Sequence, residues 1–253
     1  MRTLCVDIGG SGIKAIVVDL VGNPLSERIR LETPSPALPA AVLEVLAEVI
    51  RRIALMSGYE RVSVGFPGVV MDGIAKTAPN LDPSWAGFAM AAAVEKLTDK
   101  PVRMANDADI QGLAVIEGRG LEMLITFGTG LGGALYIDGH CVPNLELGHH
   151  PWKKGATYEE RTSNAVRKRI GKKRWNKRVR DVIAQLEPIF NYRKLYVGGG
   201  NAKHIEPEGL PANVTLVDNL AGLLGGIKLW DTEEPPQTAP TPVVAPSEAA
   251  VAL

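Results

Sequence analysis

The amino-acid sequence predicts an α/β protein with two lobes that face each other across a cleft. Apolar runs of strand length alternate along the chain with segments of helical periodicity, which is typical of α/β folds. A strand that runs into a glycine turn and then a second strand occurs twice, at residues 7–10 (DIGG) and 126–130 (TFGTG). The 253 residues, 45% of them hydrophobic, are enough for two modest cores.

The domain organisation follows from that repeat. We expect one lobe over residues 3–104 and a second over residues 105–218. A helix over residues 219–230 is able to pack back on the first lobe. From Asp231 onward Pro, Ala, Thr and Glu dominate without an apolar period, which predicts a disordered tail over residues 231–253.

The individual elements follow the apolar pattern. Strands are expected where short apolar runs end in Gly, Pro or Asn turns: residues 4–18 (two strands around the glycine turn), 25–31, 61–65, 101–105, 122–127, 134–137, 195–197 and 214–217. Helices are expected where apolar residues recur every three or four positions: residues 40–55, 88–97, 108–116, two helices within 159–186, and 221–230.

Composition excludes several classes of protein. Lys plus Arg and Asp plus Glu both number 28, so net charge predicts no partner. Cys5 and Cys141 lie far apart, which argues against a disulfide framework or a cysteine zinc cluster and fits a reducing cytoplasm. The first residues carry no apolar signal segment and no run reaches membrane-spanning length, so we expect no membrane partner.

The glycine turn after Asp7 is the first candidate site. Glycines leave backbone N–H groups free to close on an anion, and a carboxylate at the strand end can hold Mg²⁺ through water. Similar turns follow the strands that end near Gly128 and Gly198. A plain β-hairpin turn explains the first turn equally well. Three such turns together indicate phosphate binding.

Asp107 is the candidate base. It lies where a strand should meet a helix, and a carboxylate in a cleft can accept the proton of a substrate hydroxyl during phosphoryl transfer. Asn106 and Asp107 also suit a helix N-cap, and Asp109 is a competing carboxylate.

Residues 144–150 (NLELGHH) group an amide, a carboxylate and two imidazoles, which can grip several sugar hydroxyls. His149 is equally compatible with a structural histidine, and a metal site lacks further nearby ligands.

A basic stretch lies between residues 167 and 180. A solvated helix face is the usual explanation of such a stretch. A row of cations that holds a chain of phosphates is the sharper hypothesis. Nucleic acid is not expected, since Trp175 is the one aromatic residue among these cations and no recognition module is visible.

Five segments, in this order, resemble the motifs of ROK-family sugar kinases: residues 7–14 (DIGGSGIK), 65–70 (GFPGVV), 106–108 (NDA), 128–132 (GTGLG) and 146–149 (ELGH). The resemblance covers residues 3–230. Within the family it is strongest to the branch of short polyphosphate glucokinases.

The resemblance implies an actin-like (ribonuclease H-like) fold. It also implies transfer of a phosphoryl group from polyphosphate or ATP to the 6-hydroxyl of glucose or a close hexose, in a cytoplasmic homodimer. Asp107 would be the base and Asp7 would hold Mg²⁺ through water. The implied sugar contacts are Asn80, Asn106, Asp107, Glu146, His149 and Glu159. The implied phosphate and donor contacts are Asp7, Gly9, Gly10, Gly12, Lys14, Gly128, Thr129, Gly130, Gly198, Gly199 and Gly200.

Two departures from the family pattern narrow these expectations. Many ROK proteins carry a cysteine-rich zinc motif after the ELGH segment, and none follows here, so zinc is not expected. The chain starts at the phosphate strand without a DNA-binding helix pair, which disfavours a repressor. A kinase that uses ATP alone and a sugar-binding protein without catalysis remain as alternatives.

Overall fold

The computed structural model describes residues 1–217 and 221–231, so the predicted tail beyond Asp231 lies outside the described residues. The strands within them are β1 (Thr3–Gly9), β2 (Gly12–Val18), β3 (Ile29–Leu31), β4 (Arg61–Phe66), β5 (Val70–Met71), β6 (Ile74–Ala75), β7 (Val102–Asn106), β8 (Leu121–Phe127), β9 (Leu131–Ile137), β10 (His140–Val142), β11 (Lys194–Gly198) and β12 (Val214–Leu216). The α-helices are α1 (Pro39–Ala54), α2 (Met90–Thr98), α3 (Asp107–Leu113), α4 (Tyr158–Thr162), α5 (Asn164–Ile170), α6 (Lys172–Phe190) and α7 (Ala221–Leu224).

Two five-stranded sheets share one connectivity. Their strand orders are β3-β2-β1-β4-β7 and β10-β9-β8-β11-β12. In each sheet an antiparallel meander of three strands is followed by two parallel strands. The duplicated glycine-turn pattern thus marks a duplicated sheet, and both copies turn their glycine loops toward the same cleft.

Each sheet has its own apolar core. In the first, helix α1 buries Val42, Leu46, Val49 and Ile53 against β2 and β3, at the spacing that predicted it. In the second, helix α6 buries Trp175, Val179, Val182 and Leu186. Aliphatic side chains make up most of both cores, as the low aromatic content predicts.

The segment predicted as two helices over residues 159–186 is three helices. Helix α4 ends at Thr162, the non-helical Ser163 separates it from α5, and Gly171 separates α5 from α6. Gly171 has φ +82°, in the left-handed region where glycine is the preferred residue. The apolar period runs through both breaks, so periodicity alone could not locate them.

Three other elements differ from the prediction. Strand β3 covers only Ile29–Leu31, the end of the expected residues 25–31. The short hairpin of β5 and β6, turned by Asp72 and Gly73, was not predicted. The last helix is one α-turn followed by a 3₁₀ helix, Gly225–Trp230. A Cβ on Gly225 would lie 1.8 Å from the carbonyl oxygen of Ile110, so this segment presses its bare backbone onto α3.

The described part of the C-terminal segment packs on the first sheet. Leu223 and Ile227 join Cys5, Ile16 and Val18 in a small apolar cluster on the face opposite α1. Helix α3 contacts strands of both sheets. We therefore keep the boundary between residues 104 and 105 as an interpretation of where one lobe gives way to the other.

Candidate active site

A cavity of about 340 Å³ lies between the two sheets and is lined by the turns that follow their strands. The predicted site residues that line it are Asp7, Gly9, Gly10, Gly12, Lys14, Asn80, Asn106, Asp107, Gly128, Thr129, Gly130, Glu146, His149, Glu159, Gly199 and Gly200. They come from both sheets, so the cavity exists only because the two halves face each other.

Asp107 is the first residue of α3 and lines the cavity. The N-cap of this helix is Asn106, whose Oδ1 accepts hydrogen bonds from the N–H groups of Ala108 (2.8 Å) and Asp109 (3.4 Å). The capping alternative is therefore correct for Asn106. Asp107 accepts one hydrogen bond, from the N–H of Ala108 at 2.8 Å, and the rest of its carboxylate faces the cavity.

The electrostatic environment of Asp107 suits a base. Burial raises the pKa of this carboxyl to about 7, and the negative charge of Asp7 is the next contribution. Glu146 and Asp109 add smaller upward contributions, while the Ala108 N–H acts in the opposite direction. The helix N-terminus favours a charged carboxylate, but removal from water outweighs it here. A carboxyl with a pKa near neutrality can take up a proton and return it under physiological conditions.

The competing carboxylate, Asp109, has a structural place. It is 2% exposed and its Oδ2 accepts a hydrogen bond from the N–H of Asn144 at 2.9 Å. The amide of Asn144 also exchanges hydrogen bonds of 2.8 and 2.9 Å with the backbone of Val70. Asp109 thus fixes a connection between the two halves, and it is not among the residues that line the cavity.

Asp7 and Lys14 form an ion pair at the cavity wall, with 2.5 Å between Lys14 Nζ and Asp7 Oδ2. They face each other across the β1–β2 register. Mg²⁺ usually keeps several waters and binds one or two carboxylates plus substrate phosphates. One oxygen of Asp7 has no hydrogen-bond partner among the described residues, so the residues present fit such an ion.

Among the described residues, no group of three or more His, Cys, Asp or Glu side chains is placed to hold a metal ion. Nor does any helix in residues 1–217 and 221–231 have the length and apolar character needed to cross a membrane.

A polar group lies beside Asp107. The Nδ2 of Asn106 donates to the carbonyl of Gly68 at 3.1 Å and to Glu146 Oε1 at 3.3 Å. The other oxygen of Glu146 lies 3.5 Å from His149 Nε2. Burial raises the pKa of Glu146, His149 lowers it, and Glu159 raises it slightly. The amide of Asn106, the carboxylate of Glu146 and the imidazole of His149 thus lie on one wall, whereas Asn144 and His150 of the NLELGHH segment do not line the cavity.

Glu159 reaches the same wall from helix α4. Its Oε2 accepts a hydrogen bond from the N–H of Leu131 at 3.2 Å. A Cβ on Gly130 would lie 1.9 Å from this oxygen, so a larger residue there would displace the Glu159 carboxylate. The glycine turn of the second sheet and the predicted sugar contact are therefore packed against each other.

The Gly128–Gly130 turn presents bare backbone. The N–H of Gly128 is used within the turn, where it donates to Gly130 at 2.9 Å. The N–H groups of Thr129 and Gly130 have no acceptor among the described residues, and a Cβ on Gly128 would meet nothing within 4 Å. Free amides beside open space are what a phosphate cradle requires.

Gly198 does not reach the cavity lining. It ends strand β11, and a Cβ there would lie 2.8 Å from Gln111 Nε2 and 3.1 Å from the side chain of Val217. A side chain at Gly198 would collide with Gln111, and the predicted contact of Gly198 with the donor stays a prediction. Gly199 and Gly200, one residue further on, do line the cavity.

The basic stretch lies on α5 and α6, next to the second glycine turn. Arg167 donates to Asn164 Oδ1 (3.0 Å) and Asn201 Oδ1 (3.2 Å), and both of those residues donate to the carbonyl of Gly128. The fully exposed side of the stretch carries Lys168, Arg169, Lys172, Lys173, Arg174 and Lys177. Trp175 is buried and donates to the carbonyl of Thr162 at 2.7 Å, so it belongs to the core.

Sequence reasoning missed several lining residues: Ser11, Gly65, Pro67, Gly68, Pro79, Gln111, Thr126, Leu131, Gly132, Gly133 and Leu145. The GFPGVV segment matches a family motif, but the sequence alone predicts no role for its residues. Gln111 had one available signal, since it follows Asp107 by four residues and therefore shares its side of α3.

Comparison with known proteins agrees with this geometry. The model of the ROK family matches residues 3–158. Polyphosphate glucokinase of Mycobacterium tuberculosis is 35% identical over 237 residues, which cover 87% of this chain and 88% of that protein. The chain belongs to the ROK family. Polyphosphate glucokinase of Mycobacterium leprae is 34% identical over 242 residues, 88% of this chain and 73% of the relative.

Among solved structures, this ROK protein is similar to the inorganic polyphosphate/ATP-glucomannokinase of Arthrobacter sp. strain KM. The TM-score is 0.84 at 32% identity, covering 92% of this chain and 99% of the other. The predicted family and the predicted two-lobed actin-like α/β fold of sugar kinases are thereby confirmed.

Proposed function

We propose that this ROK protein transfers a phosphoryl group from polyphosphate or ATP to the 6-hydroxyl of glucose or a close hexose. One observation carries the proposal: a cavity-facing carboxyl, Asp107, whose pKa is raised to about 7, lies between glycine turns of two facing sheets. The relatives named as polyphosphate glucokinases support this choice of substrates.

The proposed sugar wall is the group of hydrogen-bonding side chains beside Asp107: Asn80, Asn106, Glu146, His149 and Glu159. The mutual bonds of Asn106, Glu146 and His149 fix their orientation before a sugar arrives. Preorganised partners of this kind select a polyhydroxylated substrate, because an analogue that lacks a hydroxyl leaves a buried polar group unpaired.

The proposed phosphate wall is formed by the glycine turns of the two sheets. The free N–H groups of Thr129 and Gly130, and the ammonium of Lys14, can donate to oxygens of the transferred phosphoryl group. Mg²⁺ held by Asp7 would neutralise charge on those oxygens when bound. Positioning and charge stabilisation of this sort provide most of the catalysis in phosphoryl transfer.

In the reaction, Asp107 accepts the proton of the sugar 6-hydroxyl. The sugar oxygen forms a bond to the terminal phosphorus while the bond from that phosphorus to its bridging oxygen breaks. The products are the hexose 6-phosphate and a donor shorter by one phosphate, and the proton stays on Asp107 until solvent removes it.

A matrix of donors and sugars tests the proposal. Long-chain polyphosphate and ATP would each be assayed with glucose, mannose and glucosamine, for the native chain and for Asp107→Asn. We expect turnover with glucose and a loss of kcat of about 10²–10⁴-fold in the variant. The matched control is Asp99→Asn, an exposed aspartate in the left-handed conformation at the end of α2, where asparagine is well tolerated.

Each outcome of the matrix has a distinct meaning. Full turnover by Asp107→Asn would remove Asp107 from the role of base. Turnover with ATP alone would select the ATP-only kinase, and glucose binding without turnover from either donor would select the non-catalytic sugar-binding protein.

Restoration of activity by Mg²⁺ after chelation would test the metal, and sedimentation would test the expected homodimer.

A further inference from the structure

Gln111 is a cavity residue that the proposed chemistry has not yet used. It lies one helical turn after Asp107 on α3, so the two side chains leave the helix on the same side. It is 8% exposed and lines the cavity between the sheets. A buried side chain at this position could be apolar without loss of packing, so the presence of an amide calls for a reason.

The amide nitrogen of Gln111 is buried without a hydrogen-bond partner among the described residues. A buried donor that is left unpaired destabilises the folded state, because it has lost its hydrogen bonds to water without replacement. Three other buried side-chain amides among the described residues are satisfied: Asn106, Asn176 and Asn201 all donate to carbonyl oxygens. Gln111 is thus the exception among these amides, and its side chain belongs to the cavity lining.

The surroundings of Gln111 indicate which part of the substrate it meets. Its Nε2 lies over Gly198, next to Val217, and the lining residues Gly199 and Gly200 follow directly. A short rotation about the last side-chain bond, which has a broad torsional minimum, presents the amide N–H to the cavity. Of the groups proposed to hold the sugar, Glu146 and Glu159 belong to other segments, and Asn106 caps the start of α3, more than one helical turn before Gln111.

We propose that Gln111 donates a hydrogen bond from Nε2 to a phosphate oxygen of the phosphoryl donor. This inference rests on the proposed function and adds a donor-binding residue to it. Phosphate oxygens only accept hydrogen bonds, and the amide donates without adding charge beside the carboxylates of Asp7 and Asp107. Gly198 leaves the space that the amide needs.

The test is Gln111→Met, which keeps length and packing but removes the donor. We expect the KM for ATP and for polyphosphate to rise about tenfold, from loss of a hydrogen bond to a charged group. The KM for glucose should change by less than about twofold, since the sugar wall is untouched. The melting temperature should stay the same or rise, because an unpaired buried amide has been removed. A purely structural glutamine would lower it.

The matched control is Gln185→Met on α6, where the amide accepts a hydrogen bond from Trp152 outside the cavity. This variant should leave both KM values unchanged and lower the melting temperature. Gln111→Glu provides a second measurement, because a carboxylate in this position should weaken donor binding more than methionine does.

Calorimetry with tripolyphosphate separates this inference from the proposed function. Native protein that turns over glucose, together with a Gln111→Met variant of unchanged donor KM and unchanged tripolyphosphate affinity, would overturn the role of Gln111 alone. A rise in the KM for glucose in place of the donor KM would also overturn it. Native protein that neither binds tripolyphosphate nor phosphorylates any sugar would overturn both.

Discussion

At the scale of single residues, the chemistry of the site depends on the burial of the Asp107 carboxyl, which raises its pKa. Asp107 has the sequence context of many helix caps, and the cap is in fact its neighbour Asn106. What distinguishes Asp107 is burial together with the facing charge of Asp7, which raise its pKa to about 7. Two predictions follow from that value.

The first prediction concerns activity against pH. A base must be unprotonated, so kcat/KM should fall about tenfold for each pH unit below about 7, as Asp107 takes up a proton. The profile would be measured from pH 5.5 to 8.5 at fixed ionic strength with both donors. Since phosphates titrate in the same range, the acid limb counts only if it appears with both ATP and polyphosphate. A flat profile down to pH 5.5 would contradict the role of Asp107.

The second prediction concerns stability against pH. The carboxyl of an unfolded aspartate has a pKa near 4, below the raised pKa of about 7 in the folded state. Between these values the folded state binds more protons, so the contribution of Asp107 favours folding at low pH and is lost as pH rises through about 7. Asp107→Asn should therefore raise the melting temperature more at pH 8 than at pH 5, by an effect of order 1 kcal/mol. Equal shifts at both pH values would contradict the raised pKa.

At the scale of elements, the basic surface of α5 and α6 has two explanations, a solvated helix face and a row of cations that holds a chain of phosphates. Within this stretch Lys172 and Arg180 approach Glu206, at 3.8 and 3.9 Å, and Arg167 is held by amides next to the Gly128 turn. The exposed cations Lys173, Arg174 and Lys177 make no salt bridge with a described carboxylate. A row of this kind beside a phosphate cradle favours an extended polyanion.

The third prediction tests that row by neutralising Lys172, Lys173 and Arg174 with glutamine. The KM for long-chain polyphosphate should rise severalfold and its dependence on salt should weaken, because fewer screened charge contacts remain. The KM for ATP should not change. Neutralising Arg51, Arg52 and Lys96 on α1 and α2 is the charge-matched control. If the triple variant uses polyphosphate like the native chain, the basic surface is only a solvated face.

At the scale of the whole molecule, the last described residues pack against strands β4 and β7 of the first sheet. The Trp230 ring contacts two guanidinium groups, whose central carbons lie 4.9 Å (Arg61) and 4.7 Å (Arg103) from its centroid. Its Nε1 donates to Ser63 Oγ at 2.9 Å, and that hydroxyl donates to the carbonyl of Gly226 at 2.6 Å. Trp230, which does not line the cavity, thus supports β4 and β7, and strand β7 leads directly into Asp107.

The fourth prediction concerns the loss of these Trp230 contacts. Trp230→Ala should lower the free energy of unfolding by about 2 kcal/mol or more, through lost packing and lost cation–π contact. Urea denaturation would measure it, with Trp230→Phe as the variant that keeps a ring but not the donor. Because the ring does not line the cavity, the KM values should change little. An alanine variant as stable as the native chain would show that the last turn does not hold the first sheet together.

The local sequence determined the alternation of strands and helices, the duplicated glycine turns and, by resemblance, the ROK family. These features depend on neighbours along the chain: apolar periodicity, turn residues and short motifs. It could not determine that α4, α5 and α6 are separate, because the breaks at Ser163 and Gly171 leave the apolar period intact.

Only the tertiary structure decided which of several equally plausible candidate residues lie in the cavity. It buried Asp109 as a link to Asn144 and left Asp107 in the cavity, and it kept Gly198 from the cavity while bringing Gln111 into it. These outcomes depend on contacts between residues that are distant in the chain, from which burial and charge arise. A sequence shows which side chains can do chemistry. The burial that shifts the pKa of such a side chain arises only when the two sheets face each other.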